Sequence, residues 1–261
     1  MDIDIKNAKV EFEKYTSNYN KINPKINLKI RHIQRVATNA RKIAEKLNLS
    51  KEDVALAELI GLLHDIGRFE QIKLYNTFLD ARSVNHAEYG VKILFEDGLI
   101  RKFIKENTYD DIIKKAISNH NRRYMDIDRN LKPKELLHTK IIRDADKLDI
   151  FHVLVEEDMN VLLGDNYKNE IITDKVYKEF FVEKIVNYKD VSTGLDLAVA
   201  NFAYVYDLNF DISLKIINKA NYLEKIYNRF KLNDPTTQER LKKISQTANK
   251  YIKQRIGKVY N

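Results

Sequence analysis

The chain has 261 residues, with 46 lysines and arginines against 38 aspartates and glutamates, giving a formal net charge of +8. That length can bury a full core, as one enlarged domain or as a domain with an appendage. Cysteine is absent, which excludes disulfides and thiolate metal ligands. No apolar run approaches bilayer length, and the opening Met1-Asp2-Ile3-Asp4-Ile5-Lys6 lacks the layout of a secretory signal, so a cytoplasmic protein with no membrane partner is expected.

Only seven glycines and three prolines interrupt the chain, and apolar residues return every three or four positions, so an all-α fold is expected. Asn27 is the expected cap of a first long helix carrying Ile30, Ile33, Val36, Ala37, Ala40, Ile43, Ala44 and Leu47 on one face, with His32 near its start. Ser50 and Asp53 form a capping pair for the next helix, which runs to His64-Asp65, and Gly67 permits a turn directly after them. Asn85 caps a helix bearing His86, Tyr89 and Ile93, closed by Asp97-Gly98. Asp110 or Asp111 opens another, leading through Ile112, Ile113, Ala116 and Ile117 to His120. Leu131-Lys132-Pro133 breaks the pattern before a helix over 133–151 that carries Asp144, Asp146 and Asp149.

Beyond residue 160 the rhythm stays helical, with boundaries at Thr173-Asp174, Ser192-Thr193-Gly194 and Asn233-Asp234-Pro235. The aromatic residues Tyr177, Phe180, Phe181, Tyr188, Phe202, Tyr204, Tyr206 and Phe210 are read as core rather than as base-stacking platforms. No linker rich in glycine, serine or proline intervenes, so residues 1–160 are taken as a core domain and 161–261 as a helical extension packed on it. The basic surplus in Arg240-Leu241-Lys242-Lys243 and Lys250-Tyr251-Ile252-Lys253-Gln254-Arg255 has amphipathic spacing, so a solvated helical surface is favoured over a nucleic-acid partner.

Against this helical background one ordered set stands out: His32, then His64-Asp65, then His86, His120 and Asp146. Leu59, Ile60, Leu62 and Leu63 precede the central pair, so an imidazole and a carboxylate emerge from an apolar wall where neither would be left without a partner. A divalent cation is one such partner. Neutral imidazole nitrogens and a carboxylate able to bridge suit manganese, iron, cobalt, nickel or zinc and are poor for calcium.

The set and its flanking runs, Arg31-His32-Ile33-Gln34-Arg35-Val36, His64-Asp65-Ile66-Gly67-Arg68-Phe69-Glu70, Asn85-His86-Ala87-Glu88-Tyr89-Gly90 and Ile142-Arg143-Asp144-Ala145-Asp146-Lys147-Leu148-Asp149, resemble the HD-domain superfamily of metal-dependent phosphohydrolases. The resemblance implies a helical bundle in which His32, His64, Asp65 and Asp146 hold one divalent ion. Asp65 would bridge to a second ion held by His86 and His120. Asp146, rather than its neighbours Asp144 and Asp149, matches the Ala-Asp position of the pattern. The resemblance further implies hydrolysis of a small phosphorylated substrate, a nucleotide or other phosphate ester, by metal-bound hydroxide, with Asp65 and His64 as catalytic residues. Arg68 and Lys147 are candidate phosphate-binding residues, since a guanidinium matches paired phosphate oxygens. An ordinary ion pair of Arg68 with Glu70 or Glu88 is the competing expectation.

Subgroups of the superfamily narrow the substrate. Alarmone hydrolases place an acidic pair after the His-Asp pair, where this chain has Arg68-Phe69, and cyclic-dinucleotide phosphodiesterases of the Gly-Tyr-Pro subgroup double the histidine where it has Asn119-His120-Asn121. A di-iron oxygenase of the same fold is the alternative activity, and a catalytically inactive nucleotide-binding module is the third reading.

Overall fold

In the computed structural model, which describes residues 3–122 and 130–257, every regular element among the described residues is helical. The expected all-α class is therefore the observed one. The described residues form two compact units that divide between Asp146 and Lys147, inside the long helix α8 (Pro133–Glu156).

The first unit is built on α2 (Pro24–Lys46) and α3 (Lys51–Leu63), which pack along their lengths. Helix α2 buries Ile33, Val36, Ala37, Ala40, Ile43 and Ala44, the stripe its periodicity predicts. Its start differs from the expectation. The cap is Asn23, whose side chain accepts from the Lys25 amide at 2.9 Å, and not Asn27. Pro24 explains the earlier start, because proline at the first helical position has a preset φ and lacks only an amide that would be orphaned there.

Helix α3 is buried on nearly every side from Leu56 to Leu63, each large side chain contributing about 1.5–3 kcal/mol of hydrophobic stabilisation. Ser50 caps it as expected, accepting from the Asp53 amide at 3.1 Å. The two helices cross closely at Gly61, where a Cβ would stand 2.7 Å from the Ala37 Cα. Around this pair lie α1 (Ile5–Thr16), α4 (Gly67–Tyr75), α5 (His86–Val91), α6 (Ile100–Phe103) and α7 (Asp110–His120). Asn85 caps α5 as expected, accepting from Ala87 and Glu88, but the helix passes at Lys92–Glu96 into a π-helical turn before Gly98, which adopts φ +77°.

Gly67 is required for a different reason from the one its position suggests. It opens α4 with no positive φ, yet a Cβ there would lie 2.6 Å from the Gly90 amide nitrogen and against the His86 carbonyl oxygen. Its missing side chain lets α4 approach α5, which carries His86.

The second unit contains α9 (Met159–Leu163), α10 (Asp174–Val182), α11 (Gly194–Ala203), α12 (Asp211–Ala220), α13 (Tyr222–Arg229) and α14 (Pro235–Gly257). Leu241, Ile244, Ala248 and Ile252 of α14 are buried, and α14 packs with α11, α12 and α13. Phe180 and Phe202 are core residues, whereas Tyr188 is 51% exposed, so the aromatic series is only partly buried. Asp196, fully buried, accepts from the Thr173 amide and hydroxyl and from Ser192, tying three segments. No helix among the described residues is long and apolar enough to cross a membrane.

Candidate metal centre

The first unit brings together all six residues of the ordered set. His32 comes from the body of α2, His64 and Asp65 from the turn that ends α3, His86 from the first position of α5, His120 from the last position of α7 and Asp146 from α8. The four imidazoles and Asp65 are at most 4% exposed, and Asp146 is the more accessible member.

Asp65 stands at the centre, and its two oxygens divide the histidines. Oδ2 lies 3.6 Å from the Nε2 atoms of both His32 and His64. Oδ1 lies 3.2 Å from His86 Nε2 and 3.7 Å from His120 Nε2. Asp146 Oδ1 joins the first group, 3.2 Å from His32 Nε2 and 3.8 Å from His64 Nε2. Two clusters with donor atoms mutually within 4.8 Å, His32–His64–Asp146 and His64–Asp65–His120, could each hold a metal ion.

The outer ring nitrogens fix the tautomers. His64 Nδ1 faces the Gly61 carbonyl at 2.8 Å and His120 Nδ1 the Ile117 carbonyl at 2.6 Å. A carbonyl can only accept, so the ring proton sits on Nδ1 and the Nε2 lone pair points inward. His86 Nδ1 faces the Asp80 carboxylate at 2.6 Å with the same result. The Nε2 atoms of His86 and His120 then stand 3.2 Å apart with lone pairs toward each other and toward Asp65 Oδ1. Buried His64 Nε2 and Asp65 Oδ1 have no hydrogen-bond partner among the described residues. Cations among these groups would satisfy them, and the donor set therefore fits divalent metal.

The electrostatics agree. Burial pushes the His64 imidazolium down to about 3 and His86 down to about 4, the latter helped by Arg68, so both are neutral donors at pH 7. Burial opposes ionisation of Asp65, but Lys29 and the surrounding imidazoles outweigh it and hold the carboxyl well below its usual range. Asp146 is likewise held low, by His32 and His64 against the cost of burial.

Three contributors are missing from the sequence-level reading. Lys29, one turn before His32, places Nζ 2.7 Å from Asp65 Oδ2. Asp80 orients His86, and burial of its carboxyl is outweighed by His86 and Arg68, which lower it to about 2. Arg143, wholly buried, donates to the carbonyls of Asn119 and His120 at 3.0 and 3.1 Å and to that of Arg122. Lys29 and Arg143 share helix faces with His32 and Asp146 at a spacing of three, a signal available in the sequence. Asp80 opens a three-residue 3-10 turn, Asp80–Arg82, too short to carry such a signal.

The two expected phosphate-binding residues both have carboxylate partners. Arg68 lies beside the centre, its Nε 3.6 Å from Asp65 Oδ1, while one amino group donates to Gln71, the Phe78 carbonyl and Asp80. Its ion-pair partners are thus Asp65 and Asp80, whereas Glu70 takes Tyr19 and Lys73 and Glu88 takes Arg122. Lys147 belongs to the second unit, where Asp207 engages its ammonium at 3.1 Å.

Residues 30–150 match the family model described as HD domain, so this stretch is an HD domain, the module of a superfamily of metal-dependent phosphohydrolases. No curated protein and no solved structure gives a significant match to the chain.

Proposed function

We propose that the protein is a metal-dependent phosphohydrolase with a binuclear centre, acting on a nucleotide or other small phosphate ester. The observation that carries this reading is the opposition of the His86 and His120 lone pairs at 3.2 Å beside Asp65 Oδ1, next to the His32–His64–Asp146 cluster. His32, His64 and Asp146 would hold one ion, His86 and His120 the other, and Asp65 would give one oxygen to each. When bound, the ions lower the pKa of water and neutralise phosphoryl charge.

The chain's own residues do the rest. Asp65 fixes the separation of the two clusters through a single carboxylate. His64 and His86, neutral at pH 7, keep their protons on Nδ1 and leave Nε2 free to donate electron density. Asp80 holds the His86 proton in place, the carboxylate–histidine pairing that raises ligand basicity. Arg68 and Lys29 bring two positive charges against Asp65, where they would draw and orient an anionic ester.

The experiment is a panel of nucleotides and phosphate esters presented to protein loaded with manganese, iron, cobalt, nickel or zinc, with phosphate and nucleotide release measured and bound metal counted. Release that depends on metal and disappears in Asp65→Ala, together with the metal, supports the reading. Oxygen consumption by iron-loaded protein without phosphate release would replace it with the oxygenase. Binding of substrate analogues with no turnover for any metal would replace it with a binding module.

A further inference from the structure

Helix α7 ends at His120 itself, so a ligand of the proposed second ion sits where helices lose their internal hydrogen bonds. The His120 ring is referenced to that same last turn, through Nδ1 to the Ile117 carbonyl at 2.6 Å. If the turn frays, the backbone and the imidazole leave together. What closes it is one guanidinium: a single amino group of Arg143 reaches the carbonyls of Asn119, His120 and Arg122. Arg143 is 0% exposed, and a buried cation is retained only where its donors are used. Positive charge at a helix C-terminus also opposes the local dipole.

Arg143 stands three residues before Asp146 on α8, so the helix that carries a donor of the first cluster also clamps the helix end that carries a donor of the second. We propose that Arg143 is a positioning residue for the second ion, setting His120 Nε2 against His86 Nε2 and Asp65 Oδ1 from α8. The inference rests on the binuclear reading above. A lysine cannot replace it fully, because its compact, strongly hydrated ammonium costs more to bury at that point than a guanidinium does.

The test is Mn(II) titration of the metal-stripped full chain by calorimetry, with bound manganese counted by elemental analysis, for wild type, Arg143→Met and Arg143→Lys. Wild type should take up two ions. In Arg143→Met the first ion should bind within about threefold of wild type. The second should weaken by about 10- to 100-fold, the usual cost of losing an outer-sphere support. Arg143→Lys should fall between, and carries the same test if the methionine variant does not fold. Two ions bound by either folded variant with wild-type affinities would overturn the role of Arg143 and leave the binuclear reading standing. Equal weakening of both ions would reduce Arg143 to general stability and overturn it too. A wild-type chain that takes up one ion would overturn the binuclear reading and this inference with it.

Discussion

Lys29 Nζ lies 2.7 Å from Asp65 Oδ2, so a monovalent cation of the chain itself already neutralises the carboxylate that faces both clusters. A metal entering the proposed centre would have to share that oxygen with the ammonium. Lys29→Met should therefore tighten Mn(II) binding by about tenfold, equivalent to about 1.4 kcal/mol. Without metal the variant should melt earlier, because Asp65 is then a buried charge short of a partner. Calorimetric titration reads the first effect and thermal melting the second. Weaker manganese binding in Lys29→Met would show that the ammonium supports the ion rather than competing with it.

The metal-free protein should lose stability on acidification from below pH 6.5. His64 and His86 have folded-state values of about 3 and 4, below the ordinary histidine value. Between those limits the unfolded chain binds protons that the folded chain refuses, so stability rises with pH through this window, by about 1.4 kcal/mol per pH unit for each histidine at its steepest. The depressed carboxyls of Asp65, Asp80 and Asp146 extend the loss below pH 4. Urea midpoints recorded at pH 7, 6 and 5 in the presence of a chelator check this. A flat profile would contradict it.

Asp80→Ala should weaken the ion next to His86 by about 10- to 100-fold, since the ring loses the carboxylate that fixes its tautomer. It should also loosen Arg68 and Gln71, which both donate to Asp80 Oδ1. Manganese stoichiometry at limiting concentration would fall from two toward one. An unaltered stoichiometry and affinity would make Asp80 dispensable.

Gly67→Ala should destabilise the fold by about 1–3 kcal/mol, the range for overpacking a close contact. The added Cβ would meet the His86 carbonyl and the Gly90 amide, so the damage falls on the strut that carries His86. Denaturant unfolding, paired with manganese titration, separates the two consequences. Wild-type stability in this variant would mean that α4 and α5 can part at no cost.

The helical class and most helix starts were legible because they follow from local chemistry. Ser50, Asn85, Thr173 and Thr193 each cap the helix that their side chains and the following apolar rhythm predict. Asn23 was missed in favour of Asn27 because the stripe alone does not mark which asparagine begins it; the proline at 24 does. The convergence of His32, His64, Asp65, His86, His120 and Asp146 was legible as an ordered set of residue types. Of its supports, Lys29 and Arg143 share a helix face with a member of the set, but what each one touches was not legible. Asp80 and Arg143 act across the fold on residues 6 and 23 positions away, and contacts of that kind leave no period in the sequence.

The donors of the centre are spread from His32 to Asp146, across more than a hundred positions of chain. A cation that grips them joins distant stretches as a reversible cross-link would, and closing so long a loop carries an entropic cost that the folded state has already met. Occupancy then becomes a thermodynamic weight on the native ensemble, worth about 2.7 kcal/mol when free metal exceeds its dissociation constant a hundredfold. The melting temperature of the protein would then be a gauge of how much metal its surroundings supply.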